Sequence, residues 1–111
     1  MSKRLKKHAQ TLKYLSKCDR HNANSIINGA SNDLLHCFSD ICHNILKGNV
    51  ELSKAEQQRL ARHKTKIRQI ANKKTAQKNK KKLIQKGGFL GTLLAPLIRM
   101  FVGPVAKSLL G

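Results

Sequence analysis

The chain has 111 residues, with 23 Lys or Arg against 5 Asp or Glu and a formal net charge of +18 at pH 7. That length suits one small domain with tails. The charge argues against an ordinary mixed-sign enzyme surface and calls for an anionic polymer or anionic surface as partner.

At about one charge per 1.7 Å of duplex DNA, roughly nine base pairs of phosphate would balance the protein. The only aromatic rings besides histidine are Tyr14, Phe38, Phe89 and Phe101. The basic segments therefore lack the stacking platforms of single-strand binders, which favours backbone contact without base reading. Three cysteines are an odd number and argue against a closed disulfide framework. Cys37 and Cys42 read as small core residues in a reducing compartment. The basic start MSKRLKKHAQ is followed by no apolar run, so no secretory signal is expected.

In chain order, residues 3–18 place Leu5, Leu12 and Leu15 on one stripe of a basic amphipathic helix. Residues 19–24 (DRHNAN) read as turn, and Ile26-Ile27 as a small apolar island of one or two helical turns. The strongest signal spans 31–47. Ser31 or Asn32 can cap it, and Asp33 sits in its first turn. Leu34, Leu35, Phe38, Ile41, Cys42, Ile45 and Leu46 share one face. Gly48 suits a left-handed stop. Ser53 and Glu56 form a capping box that opens a helix over about 54–72. Leu60, His63 or Lys64, Ile67, Ile70 and Ala71 supply its narrow stripe.

Cations surround that stripe at Arg59, Arg62, Lys64, Lys66 and Arg68, and continue at Lys73, Lys74, Lys78, Lys80, Lys81, Lys82 and Lys86. Residues 47–86 carry net +12. These twelve side chains are the candidate DNA-binding set, acting by release of condensed counterions. Lysine meets phosphate as a flexible point charge and not as a bidentate base reader, so the expected binding is independent of sequence. A solvated face, a polybasic lipid-binding tract and a nuclear-localisation signal at Asn79-Lys80-Lys81-Lys82 are the other readings of these residues. The tract 73–86 is expected to be disordered alone and to order on a polyanion.

Residues 87–111 are almost wholly apolar, with Phe89, Leu90, Leu94, Leu97, Phe101 and Val105 as a candidate membrane or partner face. Pro96 and Pro104 interrupt a straight helix. The uncharged run before Arg99 is too short to span a bilayer, which needs about twenty residues. Docking on the helical bundle or on another protein, and lying in a membrane interface, both remain open for this segment.

Cys18-x-x-His21 with His36, Cys37, Cys42 and His43 invites a zinc site, but the pairs match no finger spacing and fall inside a strong helix pattern. A Cys–His nucleophile lacks an orienting acid and a cleft. No phosphate loop follows Gly87-Gly88. The reading is a non-enzyme without cofactor, metal or small-molecule substrate.

The stretch 44–53 (NILKGNVELS), Arg62-His63-Lys64 and the lysine tract running into QKGGFL at 85–90 resemble small basic proteins of Maverick/Polinton-type elements and adintoviruses. The likeness covers about residues 31–95. That family is regarded as virion core proteins similar to adenovirus protein X, the mu peptide. The resemblance implies packaging of double-stranded DNA in a capsid, a location in the virion or host nucleus, and a viral-protease site at Gly87-Gly88. Gln85 stands where such sites usually carry Met, Ile or Leu, and lysine replaces the arginine typical of adenoviral core peptides. The expected architecture is all-α: a basic helical bundle over 1–72, a lysine-rich linker or helix extension over 73–86, and an amphipathic apolar tail over 87–111. The expected partner is double-stranded DNA, with an anionic membrane or a capsid protein as candidates for the tail. A membrane-active protein and an RNA-associated basic protein are the alternative functions.

Overall fold

The computed structural model describes residues 3–85 and 89–96. Every regular element among them is an α-helix, as the periodicities predict. In chain order these are α1 (Lys3–Lys7), α2 (Ala9–Lys17), α3 (Arg20–Asn28), α4 (Asn32–Leu46), α5 (Lys54–Ala61), α6 (Lys64–Ala71) and α7 (Gln77–Gln85). Residues 89–96 add α8.

The central element is α4, which packs on α1, α6 and α7, while α7 also packs on α3 and α6. Leu34, Leu35, Phe38, Ile41 and Cys42 are buried along its inner face, and that face runs out at Leu46, which is exposed. Both ends are closed as the sequence predicts. Leu34 N–H donates to Ser31 Oγ at 3.1 Å. At the other end Gly48 adopts φ +76°. Asn49 N–H donates to Asn44 O at 2.9 Å and Gly48 N–H to Ile45 O at 3.1 Å, the paired bonds of a Schellman stop. The capping box also forms: Glu56 N–H donates to Ser53 Oγ at 3.2 Å, and Ser53 N–H to Glu56 Oε1 at 2.9 Å.

Four features differ from the sequence expectations. The helix over 3–18 steps at His8, although His8 N–H still donates to Arg4 O and Leu12 N–H to His8 O. The helix over 54–72 breaks at Arg62-His63, where the His63 ring turns edge-on to Phe89 with centroids 5.1 Å apart. Residues 19–24 are not a turn but the start of α3, because Asp19 Oδ1 accepts from Asn22 N–H at 2.8 Å and caps it. Residues 77–85, within the stretch expected to be disordered, form α7 and bury Ile84.

The last difference has a specific cause. Lys81 Nζ donates to Asn28 O at 2.9 Å, placing a cation on an open carbonyl at the end of α3. Gln85 Nε2 donates to Asn28 Oδ1 at 2.6 Å. The tract is held by its neighbours rather than by its own helix propensity.

The resulting core joins Leu5, Leu12, Leu15 and Ile27 from the first three helices to Leu60, Ile67, Ile70 and Ile84, and then to Phe89, Leu93 and Leu94. Cys37 and Cys42 are fully buried within it as free thiols, and burial pushes each up to about 12. They are inert packing groups at neutral pH, as the sequence predicts.

Phe38 lies wholly inside this core. Phe38→Ala should cost about 3–5 kcal/mol, a large share of the roughly 5–15 kcal/mol available to a natural domain. Leu46→Ala, on the exposed end of the same helix, should stay within about 0.5 kcal/mol. Thermal melts followed by circular dichroism check both; equal effects would contradict this placement of the core.

Candidate nucleic-acid interface

The five acids divide the surface before any cation is considered. Asp19 and Glu56 are taken up in capping α3 and α5. Asp33 and Asp40, on α4, tie that helix to the basic start of the chain. Arg4 Nε donates to Asp33 Oδ1 at 3.3 Å and Arg4 Nη1 to Asp40 Oδ2 at 2.9 Å. Lys7 Nζ lies 3.2 Å from Asp33 Oδ2, and His8 Nε2–H donates to the same oxygen at 2.7 Å. The bonds from His8 and Lys7, in that order, hold the Asp33 carboxyl down at about 2, against an ordinary 3.8. The hydrogen bond to Asp40 raises the Arg4 guanidinium above its usual value.

Eight of the twelve candidate cations face outward. Arg59 and Arg62, at the end of α5, are exposed, as are Lys64 and Arg68 on α6. Lys73 and Lys74 in the following turn and Lys78 and Lys82 on α7 are exposed as well. Lys74 and Lys82 line one groove with Gln69 and Asn79. These eight candidates share α5, α6, α7 and the turn between the last two. Further exposed cations on α1 and α2 (Lys6, Lys13 and Lys17) were signalled by the basic amphipathic pattern of 3–18 but stand outside the predicted set.

Four candidates stand apart from that outer face. Lys66 is half-buried: its Nζ lies 5.7 Å from the Phe89 ring centre and 3.5 Å from His63 Nδ1. Burial, followed by the charges of Lys66 and Arg62, lowers the His63 pKa, so a neutral ring protonated on Nε2 accepts from Lys66. Lys81 is half-buried against Asn28. Lys80 is a correction to the expected surface set. It is 2 % exposed, and its Nζ donates to Ser39 Oγ at 2.8 Å. Its position one turn before Ile84 turns it toward α4, a placement that a run of three lysines does not reveal. Lys86 lies outside the described residues.

On the candidate apolar face, Phe89 and Leu94 are buried and Leu90 is half-buried, all packed with the main core. Leu93 is buried too, although the sequence reading left it out. Leu97, Phe101, Val105, Gly87 and Gly88 fall outside the described residues. Among the described residues, no helix is long and apolar enough to cross a membrane, and no cluster of three or more His, Cys, Asp or Glu could hold a metal ion.

No protein-family model, curated protein or solved structure matches the chain.

The depressed Asp33 carboxyl fixes a sign for acid unfolding. A group held below its ordinary value stabilises the fold above that value and loses the contribution as pH falls through the folded one. The wild-type melting temperature should therefore fall between about pH 4 and pH 2 in part through Asp33. Asp33→Asn should lower it at neutral pH and flatten that limb. Superimposable pH–stability curves would contradict the role of the cluster.

Proposed function

We propose that this protein binds the phosphate backbone of double-stranded DNA without reading base sequence, and compacts it. One observation carries the reading: four of the five acids are engaged in caps and in the α1–α4 ion pairs, while eight candidate cations remain exposed on α5, α6, α7 and the turn before α7. An ordinary solvated face would intersperse both signs. Here compensating charge has to come from outside, and the phosphates of a nucleic acid supply it densely.

The polar character of the binding groups supports the absence of base reading. Five of the eight exposed candidates are Lys, which meets phosphate as a point charge, and among the described residues their neighbours bring no exposed aromatic stacking platform. The longest dimension of the molecule, 42 Å, corresponds to roughly twelve base pairs at about 3.4 Å each. The burial of Phe89, Leu93 and Leu94 favours this reading over a membrane-active one, since those groups already have an apolar environment.

The resemblance to the small basic proteins of Maverick/Polinton-type elements and adintoviruses extends the proposal. On that reading the protein is a virion core component that packages double-stranded DNA in the virion or host nucleus. Its residues beyond 96, past those that complete the core, would then meet a capsid protein.

Fluorescence anisotropy with a short duplex, repeated across salt concentrations, tests the proposal. The logarithm of affinity should fall linearly with the logarithm of salt, with a slope of about −0.9 per neutralised phosphate. Replacing Arg59, Arg62 and Arg68 together with Ala should make the slope shallower by roughly three, about one per phosphate contact, equally for unrelated sequences. Salt-independent binding, strong sequence preference, or tighter binding to RNA or anionic vesicles would contradict it.

A further inference from the structure

A groove of about 610 Å³ is lined from α1 by Arg4, from α4 by His36 and His43, and from the α6–α7 region by Lys73 and Lys80. One carboxylate, Asp40, shares it and accepts from Arg4 Nη1 at 2.9 Å. Three cations and one carboxylate leave two positive charges in the groove unbalanced.

Lys80 is the member whose charge packing does not explain. It is 2 % exposed, and among the described residues no carboxylate pairs with it. Its Nζ donates to Ser39 Oγ at 2.8 Å, and the Ser39 hydroxyl donates in turn to Leu35 O at 3.2 Å. An ammonium has three protons to donate. A buried charge without a counter-ion is costly, and an apolar side chain at this position would avoid that cost. Burial accordingly lowers the Lys80 pKa.

We propose that this groove is a binding site for a dianionic phosphate, either free or as a terminal monoester, held by Lys80 and Lys73 with N–H donors from His36 and His43. The two unbalanced charges match the two charges of such a group. Donors that line the groove from α4, α7 and the turn before α7 suit its three terminal oxygens better than a planar carboxylate. Its biological meaning rests on the backbone-binding reading, for which the groove would seat the phosphorylated end of a strand. The groove itself is tested with small phosphate alone.

The imidazole resonances of His36 and His43 are followed by NMR during titration with inorganic phosphate, chloride keeping ionic strength constant. Saturable shifts of both rings are expected. Lys80→Met should weaken saturation roughly tenfold or more, as loss of a charge-assisted contact implies, while Lys13→Met, on the exposed face of α2 and outside the candidate set, should change it less than about twofold. Should Lys80→Met fail to fold, Lys73→Met serves, with several-fold weakening expected. Non-saturating shifts, or saturation in the folded groove variant equal to wild type, would overturn the proposal. A 5′-phosphorylated duplex displacing phosphate better than its 5′-hydroxyl counterpart assigns the ligand to a nucleic-acid end; equal displacement assigns it to free phosphate. Persistent salt-dependent duplex binding by Lys80→Met, with phosphate saturation lost, separates this site from the surface interface.

Discussion

Electrostatic self-repulsion sets the terms for every other feature of this molecule. A net charge of +18 is spread over 111 residues, and the core that opposes it is small. Bringing such a chain together raises the potential at each cation. Four of the five acids sit where they offset it. Asp33 and Asp40 draw the basic first helix onto α4 through Arg4, Lys7 and His8. Asp19 and Glu56 stabilise helix starts, where negative charge also meets the macrodipole. Little acid remains to neutralise α5, α6 and α7. The same allocation that permits folding leaves the exposed cations of α5, α6 and α7 with little carboxylate nearby, which is the basis of the phosphate-binding proposal.

Much of the helix framework was legible in the residues. The periodicity from Leu34 to Ile45, the Ser31 cap, the Gly48 stop and the Ser53–Glu56 box all act over a single turn or one helix face, so local sequence carries them. The start of α3 was hidden because the polar run 19–24 offers turn chemistry and helix-cap chemistry at once; Asp19 decided between them. The helical state of 77–85 was hidden for another reason. Its stabilising partners are Asn24 and Asn28 of α3 and Ser39 of α4, some forty to sixty residues away. A lysine-rich segment with few apolar residues gives no local sign of such partners.

The candidate interface was legible to the same extent and for the same reason. Exposure is the ordinary state of Lys and Arg, so Arg59, Arg62, Lys64, Arg68, Lys73, Lys74, Lys78 and Lys82 stand where composition put them. Lys80 departs because it shares the buried stripe of α7 with Ile84. Lys66 and Lys81 are half-withdrawn into contacts with His63, Phe89 and Asn28. The lysine tract thus combines two jobs: Lys73, Lys74, Lys78 and Lys82 reach outward while Lys80 and Lys81 hold α7 to the bundle. The apolar residues that follow complete the core from the far end, with Phe89 against His63 and Leu93 and Leu94 beneath the surface.

The central claim is that surface cations oppose the fold and that external phosphate relieves them. Thermal unfolding of the whole chain in low-salt buffer, with increasing sodium chloride in one series and a short duplex in another, tests it most directly. The account predicts a melting temperature that climbs with chloride through screening and climbs further with duplex at matched ionic strength, because the duplex binds the folded state. A melting temperature that stays level in both series would contradict it.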